Sequence, residues 1–100
     1  MTVDAIFIQY RVRPECLDGH LALLRSVQEE VARRRPAGLR LLTLRLADGR
    51  TFVDVAMGPD LPEPLPSLES FRRFRADLEE RCEERSMSEV TVLGSYGFGE

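Results

Sequence analysis

Apolar residues alternate with polar ones in four stretches of the chain and recur at helical spacing in two others, and the order of these patterns defines an architecture. Residues 3–12 place Ile6, Ile8, Tyr10 and Val12 on one side of an extended run and Ala5, Phe7, Gln9 and Arg11 on the other, which predicts a strand ended by Pro14. From Pro14 to Arg35, Leu17, Leu21, Leu24, Val27 and Val31 recur at helical spacing, with Glu15 and Asp18 early and Arg33, Arg34 and Arg35 late, as the helix dipole favours. Pro36-Ala37-Gly38 stops this helix, Gly38 suiting a left-handed cap. Residues 39–58 then form two alternating runs about Asp48-Gly49, a pair that tolerates the positive φ angles of a two-residue type I′ hairpin turn. That turn sets Arg45 opposite Phe52, Thr43 opposite Asp54 and Leu41 opposite Ala56. One hairpin face carries Leu42, Leu44, Leu46, Val53, Val55 and Met57, and the other mixes Leu41, Thr43, Arg45, Phe52, Asp54 and Ala56. The more aliphatic face is expected to meet the helices.

Four prolines between Gly58 and Pro66 mark a loop over the rim of the domain. Ser67 is expected to cap a second helix that Cys82 closes, whose inner stripe is Leu68, Phe71, Phe74 or Arg75, Leu78 and Cys82, with Glu69–Arg73 and Asp77–Arg81 as solvent-side pairs. Residues 88–98 read as a last strand, loosened by Gly94 and Gly97.

The order βαββαβ predicts an α+β, ferredoxin-like domain over residues 1–100: a four-stranded antiparallel sheet with two helices on one face. The uncovered face would hold Phe7, Gln9, Arg11, Leu41, Thr43, Arg45, Phe52 and Asp54, and a mixed apolar patch of this kind calls for a partner. Two copies stacked sheet to sheet would bury it, with Arg45 and Asp54 bridging diagonally inside the contact. A homodimer closing an α/β barrel is the expectation.

Composition narrows the chemistry. All 14 basic residues are Arg and none is Lys, which excludes Schiff-base chemistry and the lysine of a phosphate-binding loop. A net charge of -3 gives no reason to expect nucleic acid. One His and two Cys are too few for a zinc site, so no metal is expected although carboxylate sites stay open, and no cofactor is expected either. No apolar stretch approaches the roughly 18 residues of a membrane span, and the start lacks the basic region of a signal peptide. A cytoplasmic protein without membrane partners, with Cys16 and Cys82 reduced, is expected.

Few residues offer chemistry. Tyr10 shares the covered face with Ile8, where its hydroxyl can reach a ligand between sheet and helices, although a buried tyrosine needs one hydrogen bond in any case. His20, near the edge of the first helix's apolar stripe, is the one imidazole that can act as a base near neutral pH, but with no second His and no obvious carboxylate to orient it a boundary histidine is the preferred reading. Arg33-Arg34-Arg35 suits a helix C-terminus without any ligand.

Three segments carry a likeness: Tyr10-Arg11-Val12-Arg13-Pro14-Glu15 leading into the first helix, Arg34-Arg35-Pro36-Ala37-Gly38-Leu39 leading into the second strand, and Leu68-Glu69-Ser70-Phe71 opening the second helix. With them the chain resembles the dimeric α/β-barrel superfamily, in particular its antibiotic biosynthesis monooxygenase-like branch. The resemblance implies two ferredoxin-like subunits paired sheet to sheet and a cleft between sheet and helices in each. Haem-degrading relatives carry an Asn near the end of the first strand and a Trp and His around the second helix. Tyr10 stands at the first of these positions, Phe71 or Phe74 is the nearest aromatic, and there is no Trp and no His in the second helix, so haem is not expected. Related cofactor-free oxygenases act on aromatic polyketides.

Two functions follow as expectations. The first is a dimeric barrel protein that is non-enzymatic or binds a small apolar or aromatic molecule between sheet and helices, through Tyr10, His20, Phe71 and Phe74. The alternative is a cofactor-free monooxygenase or isomerase in which Tyr10 and His20 transfer protons and the two phenylalanines wall the substrate. An open cleft reached by Tyr10 and His20 would favour the enzyme; a nearly shut helix face is expected instead.

Overall fold

The computed structural model describes residues 5–59 and 61–97. Strand β1 (Ala5–Val12) lies between β3 (Thr51–Met57) and β4 (Cys82–Val90), and β2 (Arg40–Arg45) flanks β3, so the strand order is β2-β3-β1-β4 with every neighbouring pair antiparallel. A short 3-10 turn, Pro14–Cys16, leads into helix α1 (Leu17–Arg34), and helices α2 (Glu69–Ala76) and α3 (Leu78–Arg81) precede β4. The element order and sheet are those of the expected ferredoxin-like α+β arrangement. No described helix is long and apolar enough to cross a membrane.

The hairpin keeps its expected register: Arg45 faces Phe52, Thr43 faces Asp54 and Leu41 faces Ala56. Its turn is of another type. The Gly49 N–H donates to the Leu46 carbonyl at 2.9 Å, and only Gly49 takes a positive φ, of 77°, so the chain turns over Leu46 to Gly49 rather than over Asp48-Gly49 alone. Asp48 stays at negative φ and spends its carboxylate on the Arg50 N–H, the Thr51 N–H and the Thr51 hydroxyl.

The two hairpin faces are reversed from expectation. Phe52 lies in the core with Tyr10, Val12, Val27, Phe74, Leu78 and Cys82, so the face of Leu41, Thr43, Arg45, Phe52 and Asp54 turns toward the helices. Of the residues expected on the uncovered face, Phe7, Gln9 and Arg11 remain there, joined by Leu42, Leu44, Val53 and Val55. The physical reason is the ring of Phe52, which stacks on Tyr10 at 5.7 Å and meets His20 at 5.0 Å. One aromatic packed into the core outweighs Leu42 and Leu44 on the edge strand.

The second helix is also shorter than its periodicity implies. Asp77 at φ -120° interrupts it, and Cys82 is already extended at φ -109°, ψ 141°. β4 therefore runs over Cys82–Val90, pairing with β1 along its length, and residues 91–97 are not strand; residue 98 lies outside the described residues. As a charged edge strand, β4 carries the composition of an exposed helix while its backbone satisfies β1. At the end of α1 the left-handed residue is Arg35, at φ 50°, with Pro36 directly after it, and Gly38 turns one step later.

Nor does Ser67 cap α2, since its hydroxyl donates to the Pro64 carbonyl at 2.6 Å. Glu30 of α1 does so from across the interface. Its Oε1 accepts the Ser70 N–H at 3.0 Å and the Ser70 hydroxyl at 2.5 Å, while Oε2 pairs with Arg34 at 2.9 Å. These hydrogen bonds from Ser70 hold the Glu30 carboxyl below its ordinary 4.5. Because the folded value is depressed, the clamp contributes its stability above 4.5 and loses it as pH falls through the lower folded value. Glu30→Ala is expected to lower stability at neutral pH, and the gap from wild type in urea unfolding should close as the solution is acidified. A gap that stays constant into acid would show that the carboxylate is not what ties α2 to α1.

Candidate functional site

Four polar side chains from four elements form one buried line. Arg81, at the end of α3, donates its Nε–H to His20 Nδ1 at 3.2 Å; His20 Nε2 lies 3.1 Å from the Tyr10 hydroxyl; and Tyr10 donates to Asp54 Oδ2 at 2.8 Å. The directions follow from counting protons. An arginine can only donate, so Nδ1 carries the lone pair and Nε2 carries the proton, and the hydroxyl accepts that proton while giving its own to the carboxylate. Every bond in the line points from Arg81 toward Asp54.

Local structure explains why these groups meet. Tyr10 sits on the central strand, paired with Phe52 on one side and Arg85 on the other, which puts its ring at the middle of the helix-covered face. Asp54 lies two positions beyond Phe52 on the same side of β3, within reach of the phenol. His20 falls on the first turn of α1 over that face and is fully buried, not at the edge of the stripe. Arg81 follows Phe74 by two helical turns and so shares its inner side, where it also donates to the Phe74 carbonyl at 2.5 Å and lies over the Phe74 ring at 5.4 Å.

The surroundings set the charge states. Burial, with Arg81 adding to it, lowers His20 to about 4, so the imidazole is neutral at neutral pH. Burial and the charge of Asp54 push the Tyr10 phenol far above its ordinary 10.0. Neither group is a base near neutrality. Burial raises the Asp54 carboxyl, opposed by the hydrogen bond from Tyr10 and by the Thr43 hydroxyl across the strand pair. Its second oxygen, Oδ1, is buried without a hydrogen-bond partner.

That carboxyl borders a cleft. Between the sheet and the helices lies a space of about 490 Å³, open to solvent and walled chiefly by Ile8, Val27, Leu41, Leu65, Phe71 and Phe74, with Asp54 among its lining residues. The proline loop supplies Pro62, Leu65 and Pro66 to one side, and Arg75, Arg85 and Glu89 bring charge to the lining. The cleft is therefore not shut as expected from the sequence. Of the four residues foreseen as ligand contacts, Phe71 and Phe74 line it, whereas Tyr10 and His20 lie behind it and reach it only through Asp54.

Asp54 and Arg81 were assigned elsewhere on sequence grounds, to a dimer contact and to a solvent-side pair. One signal for Asp54 was present: it shares a face with Phe52, the one aromatic of the hairpin. Among the described residues no three His, Cys, Asp or Glu side chains converge as a metal site, and both cysteines are free.

Compared by sequence, the chain matches no family model and no curated protein. Compared by structure, it superposes on a protein described as an antibiotic biosynthesis monooxygenase with a TM-score of 0.73 at 19% identity, covering 90% of this chain and 98% of the other. A Bacteroides thetaiotaomicron protein assigned to the same group gives 0.80 at 14% identity, over 97% and 95% of the two chains. SnoaB from Streptomyces nogalater, a cofactor-independent oxygenase, gives 0.67 at 15% identity, over 94% and 97%. The fold is that of the antibiotic biosynthesis monooxygenases. At these identities the likeness between this chain and the monooxygenase structures lies in the backbone.

The neutral imidazole has a measurable consequence. In the unfolded chain a histidine takes up its proton at an ordinary 6.5, whereas folded His20 waits until about 4. Between those values the unfolded state binds more protons, so stability falls as pH drops through that window, by on the order of 3 kcal/mol in all. The NMR titration of the His20 ring should show no protonation above pH 5, well clear of its value of about 4. A midpoint near 6.5 would mean that the imidazole is not held in the line.

Proposed function

We propose that the protein binds a small, flat, apolar or aromatic molecule in the cleft between its sheet and helices. One observation carries the reading: an open cleft of about 490 Å³ with apolar and aromatic walls and Asp54 among its lining residues. That volume lies in the range of about 300–1,000 Å³ typical of small-molecule sites, which combine apolar walls with a few placed polar groups. Phe71 and Phe74, stacked at 6.3 Å and 28°, supply an aromatic wall. Asp54 Oδ1 supplies a hydrogen-bond acceptor, so the fitting ligand brings a donor such as a hydroxyl.

The second reading, a cofactor-free monooxygenase or isomerase acting on an aromatic or polyketide substrate, draws support from the shared fold with a cofactor-independent oxygenase. Its proton-transfer group is not Tyr10 or His20. The phenol is too weak an acid to ionise, and the imidazole gives its lone pair to Arg81.

A homodimer through the uncovered sheet face belongs to the same proposal. Leu42 and Leu44 are 43% and 46% exposed on that face, beside Val53, Val55 and Phe7, a stripe that a second sheet would bury. Leu44→Arg is expected to yield a monomer in sedimentation at micromolar concentration where wild type sediments as a dimer; a wild-type monomer would dismiss the pairing.

For the ligand, β-naphthol serves as a flat probe with one hydroxyl. At about 100 times its Kd it should add about 2.7 kcal/mol of stability and raise Tm by roughly 10–20 °C. Ala56→Phe, which fills the cleft from β3, should abolish the shift in a protein that still unfolds cooperatively. An unchanged shift in that variant would place binding elsewhere.

A further inference from the structure

We propose that Asp54 is a catalytic base: its Oδ1 takes a proton from a carbon next to a carbonyl in a planar, uncharged, apolar ketone held in the cleft, and returns it, so that the protein catalyses keto–enol exchange. This rests on the ligand reading above and goes beyond it, since binding requires only a hydrogen bond whereas this assigns a reaction.

Three features of the geometry bear on it. Oδ1 is the one buried side-chain polar atom among the described residues that lacks a partner, and it belongs to a residue lining the cleft. The other oxygen of the same carboxyl is committed to Tyr10, which is held by His20 and, through it, by Arg81. Tyr10 and the Thr43 hydroxyl thus hold the carboxyl of a cleft-lining residue in a fixed position, as a positioned base requires. Apolar walls on the same cleft suit a neutral ketone and keep the carboxylate poorly hydrated, which strengthens it as a base.

The step balances without any co-reactant. As the C–H bond breaks, the proton forms an O–H bond with Oδ1 and the electron pair passes through the adjacent carbon to the carbonyl oxygen, giving the enolate. Return of a proton from Oδ1 to the same or a conjugated carbon restores the carboxylate and leaves the ketone or its isomer. Tyr10, His20 and Arg81 do not touch the ketone. They are positioning residues, and Tyr10 sets how strong a base Asp54 is, because its hydrogen bond stabilises the carboxylate.

β-Tetralone in D2O is the test, with deuterium uptake followed by NMR and binding followed by chemical-shift changes of cleft residues. Wild type should exchange the α-hydrogens faster than buffer, with a rate that rises with pH as the carboxyl ionises. The other charged groups of the cleft are Arg75 on α2 and Arg85 and Glu89 on β4; behind Asp54 stand Tyr10, neutral His20 and Arg81. Asp54→Asn removes one of these ionisations alone, and should lower the enhancement about 100-fold or more. Tyr10→Phe should move the rising limb to higher pH, since it withdraws a bond that lowers the Asp54 carboxyl. Ala56→Phe, which leaves the line of four untouched, should remove both binding and exchange, and serves if Asp54→Asn does not fold. Saturable binding with equal exchange in wild type and Asp54→Asn overturns the proposal, as does a rate that falls with pH. Absence of binding overturns the ligand reading beneath it.

Discussion

The structure depends on one line of hydrogen bonds, Arg81 to His20 to Tyr10 to Asp54. It joins a cation and a carboxylate that are too far apart to pair directly, through two neutral groups that each pass the polarisation on. Leaving any one of these buried groups without its partner would cost about 1–3 kcal/mol, so the elements carrying them must arrive together. α3 brings Arg81, α1 brings His20, β1 brings Tyr10 and β3 brings Asp54. The aromatic packing follows the same line, since Phe52 and Phe74 each contact both rings within it. A buried polar network of this kind rigidifies its surroundings only when it is fully satisfied. Here one acceptor is left over, on a residue that lines the cleft.

The rest of the fold accommodates that line. A helix broken at Asp77 is a poor helix, but it ends in time for Cys82 to enter β4 beside β1, with Arg81 held on His20 Nδ1. The edge position of β4 similarly frees it to be polar, because its backbone pairs with β1 whatever its side chains are. Glu30 supplies from α1 the cap that α2 lacks locally, and so fixes the helix that carries Phe71 and Phe74 over the sheet.

Much of this was legible in the sequence, and the limits are physical. Alternation and turn residues suffice for the order of elements and for the register of the hairpin, because both are local properties of the backbone. They do not decide which face of the hairpin turns inward. Leu42, Leu44 and Leu46 outnumber Phe52 on any hydrophobic count, yet the stack of Phe52 on Tyr10 is a contact between residues 42 positions apart, and no local pattern contains it. The same inversion hid the site. Asp54 and Arg45 read as a salt bridge on an outer surface, whereas Asp54 takes its hydrogen bond from Tyr10 and Arg45 lies 5.8 Å from the Phe52 ring. Tyr10, Phe71 and Phe74 were recognisable because their own elements already showed which side was covered. Arg81 was not, since i,i+4 spacing with Asp77 offers a complete surface explanation for it.

A shared backbone and a chain-specific site answer different questions. Superposition over nearly the whole chain at under one-fifth identity means that one backbone arrangement is built by chains with few side chains in common. What the cleft can do is then decided by the groups that border it. In this chain the histidine and tyrosine that look most like chemistry are used up: one has its lone pair occupied by Arg81, the other has its proton occupied by Asp54. Their effect is exported to the carboxyl at the end of the line, which belongs to the one residue of the relay that lines the cleft. Function in this fold is therefore better sought by following hydrogen-bond direction to its terminus than by ranking residue types, and here the terminus is Asp54.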